Sequence, residues 1–291
     1  MSDDVLTVKD LHTYFYTNVG VVKAVNGVSF SLKQGRILGI VGESGSGKTV
    51  TAYSIMRLVP FPGRVVEGEV HLDGMDIYDL DQEELRQIRG RDISMIFQDP
   101  LGGLNPIVSV RTQVAELLTA HLPMSQREAN RAAIDILAGV GLADPEMLAD
   151  RYPFQLSGGM AQRVMIGIAM ALRPKVLIAD EPTSALDVTI QAQILSQIRG
   201  FTQEHNTAVI LITHDMGVIA QMADEVAVMY AGSIVEYGSV ADVFRYPSHP
   251  YTWALMQALP RVDDLRRELR VIPGAPPDLI DLPDECPFIP R

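Results

Sequence analysis

Gly42-Glu43-Ser44-Gly45-Ser46-Gly47-Lys48-Thr49 decides the fold. It follows the apolar run Ile37-Leu38-Gly39-Ile40-Val41 and precedes a helix-like stretch over 50–58. Strand, glycine loop and helix in that order form the context that a phosphate-binding loop requires. Gly42, Gly45 and Gly47 permit a tight, partly left-handed backbone that turns successive amides inward, and the helix N-terminus adds its positive dipole end. Lys48 can then reach the outer phosphates, and the Thr49 hydroxyl can ligate Mg²⁺. The bland alternative is a Gly/Ser-rich connector, which the flanking strand and helix disfavour.

Working outward, the 291 residues suffice for one large α/β domain, or a domain with an appendage, with an ample core. The 24 basic against 36 acidic residues, net −12, argue against a nucleic-acid partner, because neutralising phosphates needs clustered Lys and Arg. No apolar run approaches the roughly 18 residues of a membrane span. The start, Met-Ser-Asp-Asp, lacks the basic and apolar regions of a secretory signal. A single cysteine, Cys286, permits no internal disulfide and fits a reducing cytoplasm.

Toward the N-terminus, residues 6–11 and 21–25 read as strands. Val28, Phe30 and Leu32 alternate with Ser29 and Ser31 as a half-buried strand, after a turn signal at Asn26-Gly27. The cluster Tyr14, Phe15, Tyr16 is either sheet packing or a face on which a nucleotide base stacks. Beyond the loop, 68–72 reads as a strand with a turn at Asp73-Gly74, 81–89 as a helix, and 93–97 as a strand ending in Gln98. From 101 to 154 the character is helical, with amphipathic candidates at 108–121 and 126–140, punctuated by Pro106, Pro123, Pro145 and Pro153. This predicts a helical subdomain inserted in the α/β core.

Leu156-Ser157-Gly158-Gly159 then opens a further helix. It is a second candidate anion site or, more plainly, a serine N-cap. A buried strand at 176–180 ends in Asp180 and Glu181. Adjacent acids at the end of an apolar strand need a reason, since an unpaired buried charge is costly. Beside a phosphate loop, Asp180 reads as holding the Mg²⁺ shell, and Glu181 as orienting or deprotonating the attacking water. A turn at 184–187 leads into a helix over 188–201, and another buried strand, 208–213, ends at His214. His214 stands at a strand's carboxyl end, where ligands bind in open α/β sheets, although a structural histidine is the commoner case there. Residues 226–230 and 233–237 read as a hairpin, and the Pro- and acid-rich stretch from 260 as a loosely structured appendage.

Taken in order, the phosphate loop, Gln98, Leu156–Arg163, Asp180-Glu181, Ser184–Asp187 and His214 resemble the ATP-binding subunits of ATP-binding-cassette (ABC) transporters. Within that family the chain looks most like the dipeptide and oligopeptide importer subunits. The supporting segments are Leu156-Ser-Gly-Gly-Met-Ala-Gln-Arg163, Ala179-Asp-Glu-Pro-Thr-Ser-Ala-Leu-Asp-Val188, Val228-Met-Tyr-Ala-Gly232, His249-Pro-Tyr-Thr252 and Ile272-Pro-Gly-Ala-Pro-Pro277. The implied fold is a P-loop ATPase core with an N-terminal antiparallel β subdomain, an inserted α-helical subdomain at about 101–155 and a C-terminal appendage. The ATPase domain would span 1–259 and the tail 260–291.

The resemblance also implies roles. Gly42, Ser44, Gly45, Ser46, Gly47, Lys48, Thr49 and Val50 would bind phosphates, with Phe15, or else Tyr14 or Tyr16, stacking on adenine. Thr49, Gln98 and Asp180 would hold Mg²⁺, partly through water, and Gln98, Glu181 and His214 would be catalytic. Gln162 and Asp187 would also contact nucleotide, and Ser157, Gly158 and Gly159 would complete the ATP site of an opposing cassette, related or identical. Two transmembrane permease subunits and a solute-binding protein outside the membrane are further implied partners, placing the chain on the cytoplasmic face of the cell membrane. Many relatives carry a cysteine cluster in the tail, some with an iron–sulfur centre. Here only Cys286 is present, so four thiolates of this chain as given cannot hold one. Rival readings are the same motor serving nickel or another small solute, and a soluble cassette ATPase acting on ribosomes or DNA.

Overall fold

The computed structural model describes residues 4–184, 186–258, 272–280, 282 and 285–291. The chain forms two compact units, residues 1–79 with 210–291, and residues 80–209. In the first unit, β1 (Asp4–Thr17) and β2 (Gly20–Lys33) pair antiparallel. Val28, Phe30 and Leu32 are buried, as their alternation predicts. The expected turn at Asn26-Gly27 is absent, and β2 runs straight through it. A register shift opposite Leu11–Thr13 absorbs the irregularity, with Gly27 at φ 72. Tertiary partners explain the difference: the Asn26 N–H donates to the Gly232 carbonyl, and Ser233 donates to the Asn26 carbonyl.

The strand β3 (Ile37–Val41) is buried at all five positions, which is why it reads as an unbroken apolar run. The phosphate loop follows it, then α1 (Lys48–Ile55), β4 (Gly63–Leu72) and β5 (Met75–Asp76). Asp73 and Gly74, both left-handed, turn the chain between the last two. The antiparallel sheet has the order β2-β1-β4-β5.

The second unit opens with α2 (Gln82–Ile88), started by a reciprocal capping box between Asp81 and Glu84. It continues through β6 (Ile93–Ile96), α3 (Val110–His121), α4 (Gln126–Gly139), α5 (Pro145–Ala149) and α6 (Gly158–Met170). It then adds β7 (Val176–Asp180) and α7 (Val188–His205). β6 and β7 are parallel and wholly buried. Ala129, Ala133 and Leu137 lie one turn apart on α4 and are fully buried, where α4 packs on α3, α5 and α6. Ser109, Ser125, Asp144, Ser157 and Asp187 each cap the helix that follows.

The chain returns to the first unit through β8 (Ala208–Ile212), after which the Thr213 N–H donates to the Ile40 carbonyl of β3. α8 (Met216–Met222), β9 (Glu225–Tyr230), β10 (Ser233–Ser239), α9 (Val240–Arg245) and α10 (Pro250–Gln257) complete the described elements. β9 runs parallel to β3 and forms the expected hairpin with β10 across Ala231 and Gly232, both left-handed. Much of the predicted loose tail, 259–271, lies outside the described residues. Past it, residues 272–280 and 285–291 form no helix or strand, yet they pack on the first unit: the Lys23 N–H of β2 donates to the Leu279 carbonyl at 3.0 Å.

The helical part of the second unit rests on small side chains and leucines at helical spacing. Leu137→Ala should therefore leave a cavity and lower stability by about 2–5 kcal/mol, read as a fall in the urea midpoint.

Candidate functional site

The phosphate loop is curled by three left-handed glycines, Gly42 (φ 156), Gly45 (φ 80) and Gly47 (φ 103). At Gly42 and Gly47 the absence of a side chain is obligatory. A Cβ on Gly42 would overlap the Met229 carbonyl, and one on Gly47 the Ala24 carbonyl. Gly45 faces open space instead, with nothing within 4 Å of where its Cβ would stand. The Lys48 ammonium lies inside the curl and donates to the carbonyls of Gly42 and Glu43, both at 2.9 Å. Gly47 caps α1 without a side-chain hydrogen bond, and the first turn of α1 carries no acid. These features suit an anion, because first-turn amides and a lysine converge on one point. Ser44 is exposed, Ser46 buried, and Thr49 and Val50 half-buried.

His214 is exposed, one residue beyond Thr213. Since Thr213 bonds to β3, His214 leaves the sheet at the carboxyl edge from which the loop also leaves. The next residue, Asp215, caps α8 by accepting from the Gly217 and Val218 amides.

Among the three aromatic candidates, Phe15 is half-buried and its ring lies over Gly63, whose added Cβ would come within 2.6 Å of Phe15 Cε1. Tyr14 donates to Asn26 Oδ1 at 3.1 Å, and burial, chiefly, raises its hydroxyl pKa. Tyr16 is exposed on the sheet, with the Arg64 guanidinium 4.2 Å from its ring centroid.

In the second unit Asp180 ends β7 fully buried, and Glu181 follows at φ 45, a left-handed conformation unusual for a residue with a side chain. Gln98 Nε2 donates to Glu181 Oε2 at 3.2 Å, so the two residues singled out separately in sequence meet in space. Ser157 caps α6, accepting from the Met160 amide at 3.4 Å, and both Ser157 and Gly158 are exposed. Gln162 is different. It is 1% exposed, on the packed side of α6. Its neighbour Arg163 donates to the Val140 carbonyl and to Gln193 Oε1, tying α6 to the end of α4 and to α7. Asp187 caps α7 through the Thr189 and Ile190 amides. The expected turn at 184–187 includes Ala185, which lies outside the described residues.

Mg²⁺ takes hard oxygen donors, commonly one or two carboxylates completed by substrate phosphates. The Thr49 hydroxyl in the first unit and the Asp180 carboxylate in the second are each donors of that kind. Cys286 is exposed. No helix among the described residues is long and apolar enough to cross a membrane.

A lysine-bearing glycine loop after a buried parallel strand makes this a nucleoside triphosphatase of the phosphate-loop class. Comparison with known proteins narrows the class. Residues 25–184 match the family model described as ABC transporter, and residues 235–291 match that of the oligopeptide/dipeptide transporter C-terminal region. The chain belongs to the ABC transporter family. It is 49% identical over 280 residues to an oligopeptide transport ATP-binding protein of Bacillus subtilis, covering 96% of this chain and 78% of that one. A dipeptide transport ATP-binding protein of the same species is also 49% identical, over 290 residues, with 99% and 87% covered. An Escherichia coli oligopeptide transport ATP-binding protein is 48% identical, with 100% and 86% covered. Among solved structures, a dimeric ATP-binding cassette in a post-hydrolysis state, bound to ADP and phosphate, superposes with a TM-score of 0.73 at 29% identity. That match covers 81% of this chain and 98% of the cassette.

Gly42→Ala tests the loop most directly. Its Cβ meets a backbone carbonyl that cannot swing away, so nucleotide binding should fall below detection in a calorimetric titration.

Proposed function

We propose that this chain is the ATP-binding and ATP-hydrolysing subunit of an importer that takes up dipeptides or oligopeptides. The observation that carries the cargo is near-full-length identity to peptide-transport subunits, together with the match of residues 235–291 to the peptide-transporter C-terminal region. No comparable observation supports nickel, ribosomes or DNA. The ATPase domain is assigned to 1–259, with its helical subdomain at about 101–155, and the tail to 260–291.

In this reading the amides of the phosphate loop and Lys48 hold the phosphates, and Phe15, or else Tyr14 or Tyr16, meets the base. Thr49, Asp180 and Gln98 would hold Mg²⁺, which when bound neutralises charge on the outer phosphates. Glu181 orients the attacking water and accepts its proton. Its hydrogen bond from Gln98 supports this role, because a partnered carboxylate is held in one orientation. His214 donates a hydrogen bond to the terminal phosphate. Ser157 and Gly158, which are exposed, serve together with Gly159 a second cassette, related or identical, so that two ATP molecules clamp the pair. ATP favours the closed pair through its greater affinity for that state, and hydrolysis removes the preference. The motion passes to two permease subunits at the cytoplasmic face of the membrane, and a solute-binding protein outside supplies the peptide.

Glu181→Gln should retain ATP binding while ATP turnover falls about a hundredfold or more, the range expected for loss of a general base. Unchanged turnover would remove Glu181 from the role. For the cargo, ATPase activity of the reconstituted complex should rise with peptide-loaded binding protein and not with nickel. Stimulation by nickel alone would reassign it.

A further inference from the structure

The C-terminal residues come back to the phosphate loop and seize its second residue. Arg291 and Glu43 form a two-pronged ion pair, Nη1 to Oε2 at 2.7 Å and Nη2 to Oε1 at 3.2 Å. The remaining guanidinium contacts run to the Pro273 carbonyl at 2.8 Å, the Gly274 carbonyl at 3.5 Å and the Tyr230 hydroxyl at 3.3 Å. Only 6% of the Arg291 side chain is exposed. Tyr251 holds the same loop residue at its backbone, accepting the Glu43 N–H at 2.8 Å. The Tyr230, Tyr251 and Phe288 rings pack against one another, with centroids 4.5 to 5.4 Å apart, and anchor the tail beside the loop. Glu43 is thus fixed at its amide and its carboxylate, while its carbonyl accepts from Lys48.

A carboxylate in a loop built to bind anions poses an electrostatic problem. Unpaired, it would repel an incoming polyphosphate or capture the Lys48 ammonium. A bidentate guanidinium is the strongest counter-charge available to a carboxylate and also fixes its direction. We propose that Arg291 is a positioning residue for nucleotide binding, neutralising Glu43 and holding its carboxylate away from the polyphosphate and from Lys48. The peptide-transporter-type tail is thereby a working part of the ATP site. The proposal rests on the reading of residues 42–49 as that site. The Glu43 carboxylate reciprocally raises the Arg291 pKa through their hydrogen bonds.

The test is calorimetric titration of the full chain with Mg-ATP, comparing wild type, Arg291→Met, Glu43→Gln and the double variant at low and high salt. Arg291→Met should weaken binding about tenfold in the wild-type background and less than about twofold in the Glu43→Gln background. The loss should shrink as salt screens the freed carboxylate. Arg291→Lys should fall between wild type and Arg291→Met, and it takes the place of Arg291→Met if that variant does not fold. The proposal fails if the Arg291 substitution leaves affinity unchanged. It also fails if the loss persists undiminished in the Glu43→Gln background, which would make the tail a mechanical brace only. A wild-type chain that binds no ATP would instead overturn the nucleotide reading itself.

Discussion

The structure turns on how closely backbone approaches backbone around the phosphate loop. Parallel pairing of β3 with β9 brings the Met229 carbonyl against Gly42, and the end of β2's first half brings the Ala24 carbonyl against Gly47. Neither position can carry a Cβ. In return the loop curls tightly enough for two of its carbonyls to accept from Lys48, which holds the ammonium at the mouth of α1. The anion site is therefore a product of sheet geometry: buried strands place the carbonyls, and glycine is the residue that tolerates them.

The second unit uses the same economy differently. β7 is buried throughout and ends at Asp180, so the next residue must leave the strand sharply. Glu181 does so in a left-handed conformation, which for a residue with a side chain costs about 1–3 kcal/mol. The Ser184 amide donating to the Glu181 carbonyl closes the turn, and Gln98 holds the carboxylate. Strain confined to one residue at a strand end is tolerated because the strand before it is buried at every position. It also aims a carboxylate that would otherwise continue the pleat.

Charge is distributed with comparable care. A chain of net −12 binding a polyanion needs its local potential to oppose its global one. At the loop this comes from helix amides, Lys48 and the pairing of Glu43 with Arg291, 248 residues away in sequence. Elsewhere four of the acids, Asp81, Asp144, Asp187 and Asp215, cap helices and so stabilise helix starts.

Short-range patterns carried most of the site. Glycine spacing, unbroken apolar runs and a terminal acid pair are local consequences of backbone sterics and burial, so the loop, the buried strands and the helical stretch could be read directly, whereas roles for Gln98 and His214 came from the family resemblance. The sequence alone also determined that Ser157 starts a helix, since an N-cap and its amides lie within a few residues of each other. What it could not resolve depends on partners far along the chain. Asn26-Gly27 became part of a continuous strand because Gly232 and Ser233 bond to it. The Phe15 ring lies over Gly63, 48 residues away in sequence. Gln162 turned inward because α6 is buried on that side, and an apparently loose tail docked on the loop through Arg291. Periodicity and motif spacing describe a segment's own preferences, whereas these outcomes were decided by which distant groups tertiary packing brought within hydrogen-bonding or van der Waals reach.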